Sequence, residues 1–275
     1  MASLRRRLSL NIQKLIVTYR VTLAGVSDIG QVRKRNEDSL RMAPDLGIAV
    51  LADGMGGHPG GDIASSVAAT TAAAILERHV QVASASTTDA DKVAASLGGA
   101  MARSAMAAHE AVRAEAERRP ELAGMGTTLT ALVVDGRTGA FAVGNVGDSR
   151  AYRLRGGQLS PLTRDDTWVQ TQVDAARLTP EQARRHPFGH VLTQCIGLDE
   201  EPQAHVLTGV VEHGDVYLLC SDGLVGMMED AHIADVLRTR LLEDGGTETA
   251  VVALVEGANA AGGYDNVTVV VARVE

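Results

Sequence analysis

The stretch GIAVLADGMGGHPGGDIASSVAATTAAAILERHV, residues 47–80, sets the plan of the chain. Gly47 to Ala52 is a short apolar run of strand type that stops at Asp53. A glycine-rich turn follows. From Asp62 to Val80 the chain is Ala-rich with helical spacing, and Asp62 lies near the helix start, where a carboxylate is favoured. An acid at a strand end can point into a cleft without being buried in the sheet, and a following glycine lets the backbone turn sharply beside it.

Outward from this unit the chain keeps a regular pattern. Val21 to Ser27 alternates and reads as a strand, while Asp89 to Arg119 predicts a second long helix closed by Pro120. Short β-type runs follow at Thr127 to Asp135, Ala140 to Asn145 and Ala151 to Arg155, with Gly156-Gly157 as a tight hairpin turn. Asp165 to Pro187 is polar and reads as short helices in a connecting segment. Strands are expected at Ala204 to Thr208, Asp215 to Cys220 and Asn266 to Ala272, and helices near Ala231 to Leu242 and Thr247 to Asn259. Two helices between early strands and two before the last suggest helices covering the outer faces of paired antiparallel sheets. The pattern alone leaves the order of layers open. With no internal repeat or linker, residues 20–275 read as one domain behind a basic extension, residues 1–19, with an excursion at about 165–200.

The totals narrow the function. The chain has 275 residues, 45% of them apolar but only 3% aromatic, so its core must be packed from Ala, Val, Leu and Ile. A net charge of −8 argues against nucleic-acid binding and suits a protein that clusters carboxylates around cations. Cys195 and Cys220 form neither a disulfide framework nor a zinc spacing, which fits a reducing compartment. No run approaches the roughly 18 apolar residues of a membrane span. Arg5, Arg6 and Arg7 precede Leu8 to Val17 as in a secretory leader, but Asn11, Gln13 and Lys14 interrupt the apolar run, so a basic tail is expected.

The acids are the informative feature. Asp53-Gly54 and Asp222-Gly223 each follow a strand, Asp148 follows Gly147, Asp265 opens the last strand, and Glu37-Asp38 comes some residues after the first. Hard divalent cations such as magnesium or manganese take oxygen ligands and keep several waters, so four or five aspartates make a natural cage for two or more ions. Taken singly, each such acid is more often part of an ordinary turn than a ligand.

With their neighbours, these acids resemble the signature blocks of the metal-dependent protein phosphatases, the type 2C serine/threonine phosphatases, in their bacterial branch. The blocks are Ser27-Asp28-Ile29-Gly30 running through Arg33 to Asn36-Glu37-Asp38, then Ala52-Asp53-Gly54-Met55-Gly56-Gly57-His58 and Gly126-Thr127-Thr128-Leu129. They continue with Gly144-Asn145-Val146-Gly147-Asp148-Ser149-Arg150, Leu192-Thr193-Gln194 with Ile196-Gly197, Ser221-Asp222-Gly223-Leu224 and Asp265-Asn266-Val267-Thr268. The resemblance covers about residues 20–275.

It implies an α+β fold, a four-layer α-β-β-α sandwich with metals in a cleft at one end. It implies that Asp53 bridges two ions, that the Gly54 carbonyl binds one of them, and that Asp222 and Asp265 complete the first ion's ligands. Glu37 and Asp38 would hold waters around the second ion, and Asp148 with Asp222 a third, weaker one. Arg33 would grip the substrate phosphate, and residues 165–197 would be the variable flap. The implied activity is hydrolysis of phosphoserine and phosphothreonine by water activated between Mn2+ or Mg2+ ions, in the cytoplasm, on phosphorylated proteins and opposite a cognate kinase. The protein is expected to act as a monomer, with no nucleic acid and no stable membrane insertion.

Two alternatives stay open: a catalytically weak regulatory relative that binds phosphoproteins, and a phosphatase of small or phosphotyrosine phosphoesters. The chain departs from the family pattern twice. The histidine that protonates the leaving group in eukaryotic members has no match, His58 lying too far along, so a general acid is unassigned. The flap also opens on Asp165-Asp166-Thr167-Trp168, where relatives often carry Asp-His-Ser or Asp-His-Thr.

Nucleotide binding is set aside, because Gly54-Met55-Gly56-Gly57 meets Pro59 where a third fingerprint glycine would fall. The histidines at 79, 109, 186, 190, 205, 213 and 232 share no metal spacing and are expected to serve the surface or local hydrogen bonds.

Overall fold

A computed structural model describes residues 18–55, 60–83, 87–242 and 246–275. Most of the expected basic extension, the Gly56 to Pro59 run with His58, and the start of the Ser84 to Thr88 loop lie outside these residues.

The strands, in chain order, are β1 (Val21–Asp28), β2 (Asp38–Ala43), β3 (Ile48–Asp53), β4 (Leu129–Val134), β5 (Ala140–Val146), β6 (Arg150–Arg155), β7 (Gln158–Pro161), β8 (His205–Val210), β9 (Val216–Cys220) and β10 (Val267–Val274). The helices are α1 (Gly61–Ala83), α2 (Ala90–Arg118), α3 (Trp168–Asp174), α4 (Pro180–Arg184), α5 (Asp222–Val225), α6 (Asp230–Arg240) and α7 (Thr247–Ala260). Two antiparallel sheets result, one ordered β1-β10-β9-β6-β7 and the other β2-β3-β4-β5-β8.

The sheets face each other across a core that includes Ala49, Leu132, Phe141, Tyr217, Leu219 and Val270. α1 and α2 cover the second sheet through small side chains, among them Ala64, Ala68, Ala72, Ala100 and Ala108. α6 and α7 cover the first through Ile233, Leu237, Val251 and Leu254. The order is therefore α-β-β-α, as expected. Inner strands are buried on both faces, which is why β4, β9 and β10 read as continuous apolar runs rather than as alternation. Each fully buried Leu or Val on them contributes about 1.5–3 kcal/mol relative to exposure. Among the described residues, no helix is long and apolar enough to cross a membrane.

Three elements escape the sequence pattern. β2 is an edge strand of mixed polarity, DSLRMA, whose register is set by the hairpin that joins it to β3. That hairpin closes at Gly47, with φ +65° and room for no Cβ: one would lie 2.2 Å from the Val134 carbonyl oxygen. β7 is the short far arm of the expected Gly156-Gly157 hairpin, both glycines having positive φ, and it ends at Pro161 on the sheet edge. α5 is a single turn begun by Asp222 itself.

Candidate active site

Antiparallel alternation decides where the acids go. The C-terminal ends of β3, β5 and β9 and the N-terminal ends of β2, β6 and β10 all lie on one rim of the sandwich. Asp53, Asp148 and Asp222 sit at or just after the first set, and Asp38 and Asp265 at or just before the second. Acids separated by up to 227 positions in sequence thus share one edge, drawn from both sheets.

The tightest pair follows from register. Asp38 and Asp53 are direct cross-strand partners in the β2–β3 hairpin, an arrangement that is destabilising for like charges. Burial, with Asp222 adding repulsion, pushes the Asp38 carboxyl up to about 7, although Thr268 Oγ1 donates to its Oδ2 at 2.6 Å. Its Oδ1 is buried without a hydrogen-bond partner. Asp53 is held well above the usual carboxylate range by burial and then by Asp38, Asp222, Asp148 and Asp265. Its backbone is fixed from the β4 side: Thr128 N and Thr127 Oγ1 donate to its carbonyl, and its N–H donates to Thr128 Oγ1. Gly54 is walled in, since a Cβ there would lie 2.2 Å from the Gly61 oxygen and 2.7 Å from that of Glu37.

From the other sheet, Asp222 starts α5, its carboxyl raised by burial and next by Asp265. Asp265 accepts from Arg33 Nη2 at 2.6 Å, so the sequence-predicted phosphate clamp stands at the same rim. Asp148, in the β5–β6 turn, is raised by burial, then by Asp222 and Asp165. Glu37 is raised by burial and next by Asp62 at the start of α1.

Arg33, Glu37, Asp53, Gly54, Asp148, Asp222 and Asp265 line one cleft of about 1320 Å³, whereas Asp38 is buried and does not line it. Among the described residues no three His, Cys, Asp or Glu side chains stand close enough together to hold one metal ion between them. Hydrated hard cations keep several waters beside their carboxylates, so the acids need not all touch one point. An orphaned buried carboxylate oxygen and several mutually repelling acids form a donor set that fits such ions. Cys195 lines the cleft too, but burial pushes its thiol up to about 11, and Cys220 up to about 12, so neither supplies a thiolate.

Sequence reasoning passed over the residues that hold this rim together. Asn266 Oδ1 accepts from Glu37 N, while its Nδ2 donates to the Ile29 and Arg35 carbonyls, ordering the loop that carries Arg33. Thr268 donates to Asp38, Ser221 Oγ accepts from Thr268 N, and Thr127 and Thr128 hold the Asp53 backbone. In sequence they stand within the signature blocks, but their hydrogen-bonding role is not legible there. Several histidines make local hydrogen bonds as expected: His79 with Ser96, His109 with Gly197 N, and His205 with Asp166.

An α-β-β-α sandwich with a carboxylate-lined cleft at the common rim of both sheets is the class that fold and site define. The chain matches the protein phosphatase 2C family over residues 31–256 and belongs to that family. It is 38% identical over 259 residues to the serine/threonine protein phosphatase PstP of Mycobacterium tuberculosis, covering 94% of this chain and 46% of that protein. It is 34% identical to the protein phosphatase PhpP of Streptococcus pneumoniae, covering 89% of this chain and 94% of the relative. The chain thus spans about half the length of the first of these relatives. A crystal structure of the M. tuberculosis phosphatase superposes with a TM-score of 0.76 at 38% identity, covering 93% of this chain and 99% of that one. A structure of the PstP catalytic domain in complex with two manganese ions gives 0.72 at 37% identity, covering 94% and 99%.

Proposed function

We propose that this protein is a metal-dependent protein serine/threonine phosphatase whose catalytic domain is residues 20–275, with the flap at about 165–200. The observation that carries the reading is the meeting of Asp53, Asp148, Asp222 and Asp265 from two sheets at one cleft, beside Arg33, with buried Asp38 paired to Asp53 across the β2–β3 hairpin. Asp53, the Gly54 carbonyl, Asp222 and Asp265 would hold a first Mn2+ or Mg2+ ion, Asp53 with Glu37 and Asp38 a second, and Asp148 with Asp222 a third, weaker one. Bound there, the ions would supply an activated water and neutralise phosphate oxygens. Arg33 orients the phosphate by forking onto two of its oxygens. Phosphoproteins are the substrates and a serine/threonine kinase the opposing enzyme. The two free, buried thiols suit a reducing cytoplasm, and the protein acts as a monomer.

The test is hydrolysis of a phosphothreonine peptide with manganese, without it and with chelator. Manganese-dependent turnover is expected; turnover untouched by chelator would remove the metal from the reading, and none on the peptide but ready hydrolysis of a small aryl phosphate would change the substrate class. Arg33→Ala is expected to raise KM for that peptide by about 10-fold, the lower end for a charge-assisted hydrogen bond because the side chain is 41% exposed. An unchanged KM would take Arg33 out of phosphate binding.

A further inference from the structure

Asp166 has no role in the reading above, yet it is the most heavily bonded carboxylate next to the cleft. It is 3% exposed. Its Oδ2 accepts from Gly147 N at 3.0 Å, and its own N–H donates to the Gly147 carbonyl at 3.0 Å. One residue therefore holds both polar groups of the peptide position immediately before Asp148. Gly147 has φ +101°, and a Cβ there would lie 2.7 Å from Thr128 Cγ2, so this turn accepts only glycine. On its other side Asp166 reaches the far end of the flap. Oδ1 accepts from Gln194 Nε2 at 3.1 Å, the Asp166 carbonyl accepts from Thr193 N at 2.7 Å, and Oδ1 also bonds Nε2 of His205, the first residue of β8, at 2.8 Å. Asp148, Thr193 and Gln194 all line the cleft.

We propose that Asp166 is a positioning residue that locks the Asp148 turn to the far end of the flap, and so sets the affinity of the weaker divalent ion at Asp148. The proposal rests on the reading that Asp148 holds such an ion. The contacts require an acceptor on both oxygens: the Gly147 N–H donates to one and Gln194 Nε2 to the other. An amide of the same shape must turn its NH2 either toward the Gly147 N–H or toward Gln194 and His205. In the first case the Asp148 turn loses its anchor, and in the second the flap does.

Manganese titration calorimetry on the whole chain tests this, with Asp148→Ala as the reference. Wild type is expected to show a tight and a weak phase, and Asp148→Ala to lose only the weak one. Asp166→Asn is expected to weaken the weak phase by about 10-fold, the scale of a group that orients a metal ligand, and to leave the tight phase within about twofold. The manganese concentration for half-maximal peptide hydrolysis should rise by about the same factor, with KM for the peptide unchanged.

A carboxylate that only buttressed the flap would change KM or lower both phases together, and either result overturns the proposal, as does an unaltered weak phase. His205→Ala and His205→Gln settle the matter if Asp166→Asn does not fold. Alanine removes one partner of Oδ1 and should weaken the weak phase, glutamine can restore that hydrogen bond and the affinity, and failure of either expectation counts against the proposal. A wild type with no weak phase would instead sink the reading of Asp148 on which this one stands.

Discussion

Asp222→Asn is expected to lower kcat on a phosphothreonine peptide by about 10³-fold, equivalent to roughly 4 kcal/mol of lost transition-state stabilisation. The metal-free variant should be at least as stable as wild type. Both halves come from one observation. The Asp222 charge acts on three of the other acids, raising Asp38, Asp53 and Asp148, and its own carboxyl is raised by burial. Asparagine keeps the shape and the start of α5 while removing that repulsion. A site selected for folding alone would not carry this charge; one that must hold cations does, at a cost in stability. Steady-state kinetics with saturating manganese and a thermal melt in chelator check the pair. Wild-type turnover would remove Asp222 from the site. A loss of activity matched by a lower melting temperature in chelator would make the residue structural.

The same contrast explains what the sequence could reveal. Long helices and doubly buried strands announce themselves by run length and composition: α1, α2, β9 and β10 need little beyond their own residues to be recognised. Asp53, Asp148, Asp222 and Asp265 were visible because each lies at the end of an expected strand beside glycine or asparagine, and antiparallel pairing then gathers strand ends of alternating sense on one rim. Edge strand β2 was invisible, because half-exposed residues such as Arg41 and Ser39 carry no period, and it is β2 that places Asp38 opposite Asp53. The supporting hydrogen bonds were equally hidden. Asn266 bonding Glu37, 229 positions away, and Asp166 holding Gly147 and His205 are long-range facts that local pattern does not encode. The Asp-Asp-Thr-Trp flap start thus reads in sequence as a departure from relatives, whereas in the fold its second acid is a junction.

Manganese is expected to raise the melting temperature of the wild-type protein more at pH 8 than at pH 6.5. Burial raises the carboxyls of Asp38, to about 7, and of Asp53, Asp148, Asp222 and Glu37 above their ordinary values. A carboxylate raised in the native state binds more protons there than when unfolded, so without metal its contribution to stability is fully present below the unfolded pKa and is lost as pH rises through the folded one. The metal-free protein should therefore lose stability from pH 6.5 to 8. Divalent ions compete with those same protons, so their affinity, and the stability they confer, grows over the same window. At a free concentration of 100 times Kd the ion adds about 2.7 kcal/mol, or roughly 5–10 °C for a domain of this size. Below 6.5 the comparison is clouded by His109, whose pKa burial lowers from 6.5 and which destabilises the fold as acid protonates the unfolded chain first. Thermal melts at both pH values, with manganese and with chelator, measure the effect. Equal shifts at the two pH values would mean that the ions bind away from the raised carboxylates, and the assignment of the cleft as the metal site would fall with it.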